Sequence, residues 1–223
     1  MRQIEHELDE LYAALKRRQL VASARKLVAA IYPKIHAEGG TATLRLAKNR
    51  YKKLQDEIRP ALIYAAIELP PCADIEFHLS DRGPDATAWR SSSSVGIPIE
   101  VTVALGKVRY HQMLALNTTG VGHGFTNASD DDSAARIKRR YEDHRAYSTE
   151  EAVKVIAAGI GRCVGRKRHL SRTVIIDAPL NVLPARHWPD AMTEIAHELP
   201  QSRCQAIFVV GNNDDRDSCY RLK

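Results

Sequence analysis

The sequence contains no apolar run that approaches the roughly 20 residues a helix needs to cross a membrane. Its start, Met-Arg-Gln-Ile-Glu-His-Glu-Leu, also lacks the apolar centre of a secretory signal peptide. We therefore expect a cytoplasmic protein with no membrane partner.

Closely spaced cysteines are also absent. Cys72, Cys163, Cys204 and Cys219 lie far apart, and no Cys-x-x-Cys occurs. This spacing favours reduced thiols that pack in the fold over a zinc site or a disulfide framework.

The chain has no internal repeat and no low-complexity linker, so one α/β domain is the simplest interpretation of its 223 residues. Its 44% hydrophobic content is enough for a substantial core. Lysine and arginine exceed the acids by 33 − 27 = 6, and the pI is about 9.2. This excess favours a polyanionic partner.

Residues 73–79, 85–90 and 97–105 predict three half-buried strands separated by Gly- and Ser-rich turns, and the first and third alternate between apolar and polar residues. If Arg90 pairs with Ile97, Asp85 faces Thr102 and lies diagonal to Glu100, about 7–8 Å away. Two carboxylates there could converge on one hard cation. A register shifted by one residue would turn Asp85 to the other face.

The remaining elements are predicted around this hairpin. Ser148 and Glu151 form a capping-box pattern that begins a helix. The buried strand 173–177 follows a helix directly, so we expect it to be parallel to its predecessor. The other expected elements are helices at 2–36, 43–59, 60–69, 106–117, 149–164 and 190–199, a strand at 205–211, and a loosely held polar tail.

Two basic stretches precede the strand at 173–177. The first contains Lys138, Arg139 and Arg140, and the second places Arg166, Lys167 and Arg168 at a helix end, between Arg162 and Arg172. The five cations of the second stretch suit the helix macrodipole and a nucleic-acid backbone equally well.

Other polar patterns are weaker signals. The glycines of Gly120-Val-Gly-His-Gly124 are a weak phosphate-loop pattern, because no strand leads into them. A nucleotide enzyme that uses this loop is a distant alternative. We expect Asp130 to Asp132 to be solvated and His78, His111 and His123 to be ordinary histidines. The serines at 91–94 have no His-Asp partners of a catalytic triad.

The element order, together with Pro84-Asp85 and Glu100-Val101-Thr102, resembles the PD-(D/E)XK nuclease superfamily, also called restriction-endonuclease-like. The resemblance implies an αβββαβ core, with a mixed central sheet flanked by helices, over residues 60–211. Residues 1–59 would be an N-terminal helical extension, and residues 212–223 a polar C-terminal tail. Residues 85–124 and 147–183 are also similar to uncharacterised bacterial proteins with an E-x-T version of the motif.

The resemblance implies that Asp85 and Glu100 hold Mg²⁺ or Mn²⁺, with the Val101 carbonyl as a third ligand, and that a metal-activated water hydrolyses DNA. Thr102 stands where the superfamily has a lysine. A hydroxyl can position water but brings no charge, so either a cation comes from elsewhere or activity is reduced or absent. The candidates on the following segment are Lys107, Arg109 and Gln112; Gln112 resembles a helix glutamine of some members.

A further acid from the preceding helix is common in the superfamily, and Glu57 or Glu68 could supply it. The expected nucleic-acid contacts are Lys107, Arg109, Lys138, Arg139, Arg140, Arg166, Lys167 and Arg168. Many enzymes of this type dimerise to cut both strands, so the resemblance also allows a homodimer. Two functions stay open: a metal-dependent deoxyribonuclease, and an inactive nuclease-like domain that binds nucleic acid or a protein partner.

Overall fold

The computed structural model describes residues 2–46, 50–80, 83–91, 94–120, 125–142, 147–213 and 216–223. A mixed sheet flanked by helices organises these residues, and its strands lie side by side in chain order. The strands are β1 Gln19–Leu20, β2 Asp74–Phe77, β3 Ala86–Trp89, β4 Ile97–Val103, β5 Thr173–Asp177, β6 Ala206–Asn213 and β7 Arg216–Arg221. The α-helices are α1 Arg2–Leu15, α2 Val21–Ala37, α3 Thr41–Arg45, α4 Arg50–Lys53, α5 Arg59–Glu68, α6 Gly106–Thr119, α7 Ala134–Glu142, α8 Thr149–Lys167 and α9 Trp188–Glu198.

The strand directions divide the sheet into two parts. β1 to β4 are antiparallel to their neighbours, and β2, β3 and β4 form a meander, whereas β4, β5 and β6 are parallel to one another. The expected strand 173–177 is confirmed, as is its parallel pairing with the predecessor. The long connection from β4 to β5 contains α6, α7 and α8, as a parallel crossover requires.

Each face of the sheet has its own apolar core. On one face, Ile75, Ile99 and Val101 pack with residues of α1, α2 and α5. On the other face, Val174 and Ile176 pack with residues of α6, α7, α8 and α9. Residues of β4 alternate between these cores, so Glu100 and Thr102 lie on the α8 side.

The N-terminal region differs from the expected helix over 2–36. The chain leaves α1 and forms β1, which pairs with β2, and the Val21 N–H donates to the Ala73 carbonyl at 3.0 Å. Backbone pairing with the sheet edge therefore ends the helical run that the apolar stripe predicted. Two helices result instead of one.

The expected break between the helices 43–59 and 60–69 is also absent. α4 continues into α5 through a π-helical turn, Leu54–Ile58, which places Pro60 in the first turn of α5. Pro60 has no N–H to donate to the preceding turn. The π-helical turn, in which the Arg59 N–H donates to the Leu54 carbonyl, lets the helix continue through this position.

The capping box is confirmed. The Glu151 N–H donates to the Ser148 hydroxyl at 3.2 Å, and the Ser148 N–H donates to Glu151 Oε2 at 3.1 Å. α8 extends from Thr149 to Lys167, three residues beyond its expected end.

The polar tail was expected to be loosely held, and this expectation is wrong. Arg216–Arg221 forms β7, which pairs antiparallel with β6. Sheet pairing uses the backbone, so a polar segment can cover a strand edge without an apolar pattern. The structure thus ties the C-terminal residues to the core.

Candidate functional site

Asp85 lies beside Glu100 at the point where β3 ends and β4 continues. Ala88, rather than the expected Arg90, pairs with Ile97. The difference of two residues keeps the expected face, because side chains alternate with a period of two. In the observed register, Asp85 no longer faces Thr102. It contacts the backbone of the residues on either side of Glu100.

Two hydrogen bonds fix Asp85 against β4. Its N–H donates to the Ile99 carbonyl at 2.9 Å, and its Oδ2 accepts from the Val101 N–H at 2.7 Å. β3 begins at the next residue, Ala86, so its backbone does not reach the Val101 N–H. The Asp85 carboxylate accepts from this N–H instead.

Glu100 is buried in an ion-pair network. It is 8% exposed, and its Oε1 and Oε2 accept from Lys167 Nζ at 2.6 Å and Arg172 Nη1 at 2.7 Å. The side chains of Lys167 and Arg172 remain 29% and 26% exposed. The network therefore reaches solvent through its two cations.

The path of the chain explains why these cations meet Glu100. Lys167 is the last residue of α8, and Arg172 immediately precedes β5. β5 is parallel to β4 and pairs Val174 with Glu100, so the start of β5 lies beside the first half of β4. The end of α8 must lie there as well. The helix and the parallel strand were both predicted, but the register that brings these cations to Glu100 was not.

Glu57 is the third acid of this region. Burial raises the pKa of Glu57, and the charge of Asp85 raises it further, so the two carboxylates interact electrostatically. Burial also raises the pKa of Asp85; the Val101 N–H opposes this shift and Glu100 adds to it. We call Glu57, Asp85 and Glu100, with Lys167 and Arg172, the carboxylate site.

Two other residues with expected roles have their contacts outside this set of residues. Glu68 interacts with Cys219 of β7, so Glu57 is the upstream acid that approaches Asp85. Thr102 is half-buried against α8, and its hydroxyl contacts the Cys163 thiol at 3.7 Å. Lys167, from the same helix, brings a positive charge next to Glu100.

The donor atoms of the carboxylate site suit a hard cation under one condition. Among the described residues, no hydrogen bond reaches Asp85 Oδ1, which is left for a ligand, and the Val101 carbonyl faces the same strand edge as the Val101 N–H. An all-oxygen set fits Mg²⁺ or Mn²⁺. Glu100 would have to leave one of its two cations. Across the described ranges, no three His, Cys, Asp or Glu side chains form a metal-ligand group.

Several of the expected nucleic-acid contacts are exposed. Arg166 and Arg168 flank Lys167 at the end of α8, and Lys138 and Arg139 lie on α7. Arg140 is half-buried, 4.0 Å from Asp132. The exposed arginines at the end of α8 are thus close in sequence and space to the carboxylate site.

Lys107 and Arg109 are engaged in contacts within the protein. Lys107 donates from its backbone N–H to Asp130 at 3.0 Å and from its ammonium to the backbone carbonyls of Asp130 and Asp132. Arg109 donates to Asp177 at 2.7 Å. Asp132 forms ion pairs with Arg136 and Arg140, and Asp131 forms one with Arg162, so these two aspartates are not simply solvated. The Asp130 carboxylate instead accepts backbone N–H groups at the start of α6.

Gln112 lies in a cavity at the other end of the parallel strands, together with Arg109, Val103 and Asp177. Val103 and Asp177 are paired residues at the carboxyl ends of β4 and β5, whereas Glu100 pairs near the start of β5. The structure therefore does not bring Gln112 together with Asp85 and Glu100.

The remaining polar candidates have separate surroundings. His78 Nε2 lies 2.8 Å from the Thr87 hydroxyl, and His111 contacts the Tyr110 ring edge-on. His123 and most of the glycine-rich loop, residues 121–124, lie outside the described residues. All four cysteines are free.

Comparisons with known proteins give no relative: no family model matches the chain, and searches of curated proteins and of solved structures also return no match. Among the described residues, no helix combines the length and apolar character needed to cross a membrane.

Proposed function

We propose that the chain is a metal-dependent nuclease that hydrolyses DNA phosphodiester bonds at the carboxylate site. One observation carries this proposal: Asp85 and Glu100 lie side by side on neighbouring strands, and Lys167 Nζ is 2.6 Å from Glu100 Oε1. Two acids and a lysine are the set that the PD-(D/E)XK resemblance requires. Lys167 takes the part of the lysine that Thr102 replaces.

Asp85, Glu100 and the Val101 carbonyl would hold Mg²⁺ or Mn²⁺, with Glu57 behind Asp85. When bound, such an ion lowers the pKa of a coordinated water and neutralises charge at the phosphorus. Raised pKa values of Asp85 and Glu57 support this assignment, because crowded, partly buried carboxylates gain from a nearby cation.

In this proposal Lys167 and Arg172 also act on the DNA substrate. When Glu100 turns toward the ion, the ammonium and the guanidinium lose a carboxylate partner and can donate to phosphate oxygens or to the attacking water. Arg166 and Arg168, exposed beside them, would bind the flanking DNA backbone.

The test is cleavage of supercoiled plasmid by the purified chain with Mg²⁺, Mn²⁺ or EDTA. We expect metal-dependent nicking that Asp85→Asn, Glu100→Gln and Lys167→Met each abolish or reduce by at least about a hundredfold. Glu76→Gln is the matched control, because Glu76 is a half-buried acid of the same sheet. This variant should cleave DNA as wild type does. Undiminished cleavage by the Asp85 and Glu100 variants would refute the assignment.

A second candidate function is a nuclease-like domain that binds nucleic acid or a protein partner without chemistry. It is favoured by the ion pairs of Glu100, because both of its oxygens are already neutralised by cations. DNA binding without cleavage in every metal tested would support this function. Arg166 and Arg168 would then be needed for binding, whereas Asp85 would not.

A further inference from the structure

A second polar cavity lies at the carboxyl ends of the parallel strands, away from the carboxylate site. Its volume is about 580 Å³, within the range of small-molecule sites. The cavity lies beyond the carboxyl ends of β4 and β5, which is a common position for ligands in α/β sheets. Its polar lining residues are Arg59, Arg109, Gln112, Asp177, Asn181 and Asn212.

Among the described residues, the charges of this cavity leave one guanidinium without a side-chain partner. Arg109 donates to Asp177 at 2.7 Å and lies 3.7 Å from Asp56. The Arg59 backbone N–H donates to the Leu54 carbonyl. The Arg59 guanidinium forms no hydrogen bond or ion pair with any residue that the structure describes, although its charge opposes the rise in the pKa of Asp177. An adjoining cavity of about 170 Å³ shares Val103 and Arg109 and adds Arg45 and Asp56. Three arginines thus face two aspartates.

Burial increases the excess of positive charge in this cavity. Desolvation raises the pKa of Asp177 and of Asp56, so their negative charges are disfavoured where the arginines stay charged. Tyr32, whose pKa is also raised by burial, lies close enough to Arg59 and Arg109 for both to oppose that rise. Its hydroxyl is buried and has no hydrogen-bond partner in the part of the chain that the structure describes.

The cavity also has an apolar lining. Val108 of α6 is 4% exposed, and Met113 and Phe125 are half-buried. A cavity with charged and apolar lining residues selects a ligand with an acidic head and an organic body, because each part loses water against a matching surface.

We propose that this cavity binds a small organic anion, with its carboxylate or phosphate against Arg59 and its apolar body against Val108, Met113 and Phe125. The proposal is independent of the nuclease assignment, because none of its residues belongs to the carboxylate site.

The test is calorimetric titration of the full-length chain with benzoate, phenyl phosphate and benzyl alcohol in the millimolar range. We expect at least one of the two acids to bind and the neutral alcohol to bind at least about tenfold more weakly. Binding of one acid only would identify the head group. Equal binding of all three, or binding of none, would overturn the proposal.

Variants of lining residues test whether the acids bind in this cavity. Arg59→Gln should weaken acid binding at least about tenfold, and Met113→Trp should weaken it by narrowing the cavity. Arg186→Gln, an exposed arginine outside the lining, should bind as wild type. Glu100→Gln should also leave binding unchanged, which separates this proposal from the nuclease. Wild-type affinity in folded Arg59→Gln would overturn it.

Discussion

Lys167→Met tests the ion pairs of Glu100 and the metal proposal together. The change keeps the apolar stem of the side chain and removes the ammonium 2.6 Å from Glu100 Oε1. A hydrogen bond between charged groups contributes about 1.5–3 kcal/mol. Lys167 is 29% exposed, so solvent screening lowers the expected loss to about 1–2 kcal/mol. Arg172 still neutralises Glu100, which avoids the larger cost of an unpaired buried charge.

The assay is thermal unfolding in EDTA and in Mn²⁺. A loss of about 1–2 kcal/mol predicts a Tm about 2–8 °C below wild type in EDTA for a chain of this size. Mn²⁺ should stabilise Lys167→Met more than it stabilises wild type, because one competitor for Glu100 is gone and ligand binding stabilises the folded state.

Lys154→Met is the control, since Lys154 is exposed on the same helix. Its Tm should match wild type in both conditions. An unchanged Tm of Lys167→Met in EDTA would refute the energetic importance of the ion pair. Equal Mn²⁺ stabilisation of Lys167→Met and Glu100→Gln would refute Glu100 as a metal ligand.

Two further predictions concern stability. Burial raises the pKa of Asp85 above 3.8, so the folded state binds its proton more tightly and loses stability as pH rises through the folded pKa. Asp85→Asn should remove this loss, because the amide does not titrate and its oxygen can still accept from the Val101 N–H. The urea midpoint of the variant should therefore rise relative to that of wild type as pH increases. A difference between the two midpoints that does not depend on pH would contradict this. Gly211→Ala should cost about 1–3 kcal/mol, because a Cβ would lie 2.5 Å from the Ala178 carbonyl oxygen. Gly161→Ala, which meets open space in α8, should instead be neutral or gain about 0.5–1 kcal/mol in the same urea titration.

The sequence predicted the strands around the carboxylate site but not their register. Alternation of apolar residues determines which face a side chain occupies, so Glu100 and Asp85 could be assigned to one side. The turn between β3 and β4 allows more than one pairing. Gly96 helps to select the observed one, because a Cβ there would lie 2.5 Å from Thr87 Cγ2.

Lys167 shows why side-chain roles are harder to predict than elements. Its helix was predicted, and its charge was noted as a DNA contact. Its position beside Glu100 depends on the pairing of β4 with β5, which is set by residues over 60 positions apart. β7 was missed for a different reason: its partner is the backbone of β6, and a polar sequence carries no sign of that pairing.

The π-helical turn at Leu54–Ile58 has a consequence for how this fold could vary. Neighbouring acids of this turn serve different ends of the sheet, since Asp56 lies 3.7 Å from Arg109 while Glu57 adjoins Asp85. Loss of one residue there would rotate the preceding turn by about 100°. If the lost residue were Ile58, Asp56 would take the position that Glu57 now holds near Asp85, and every strand would stay intact.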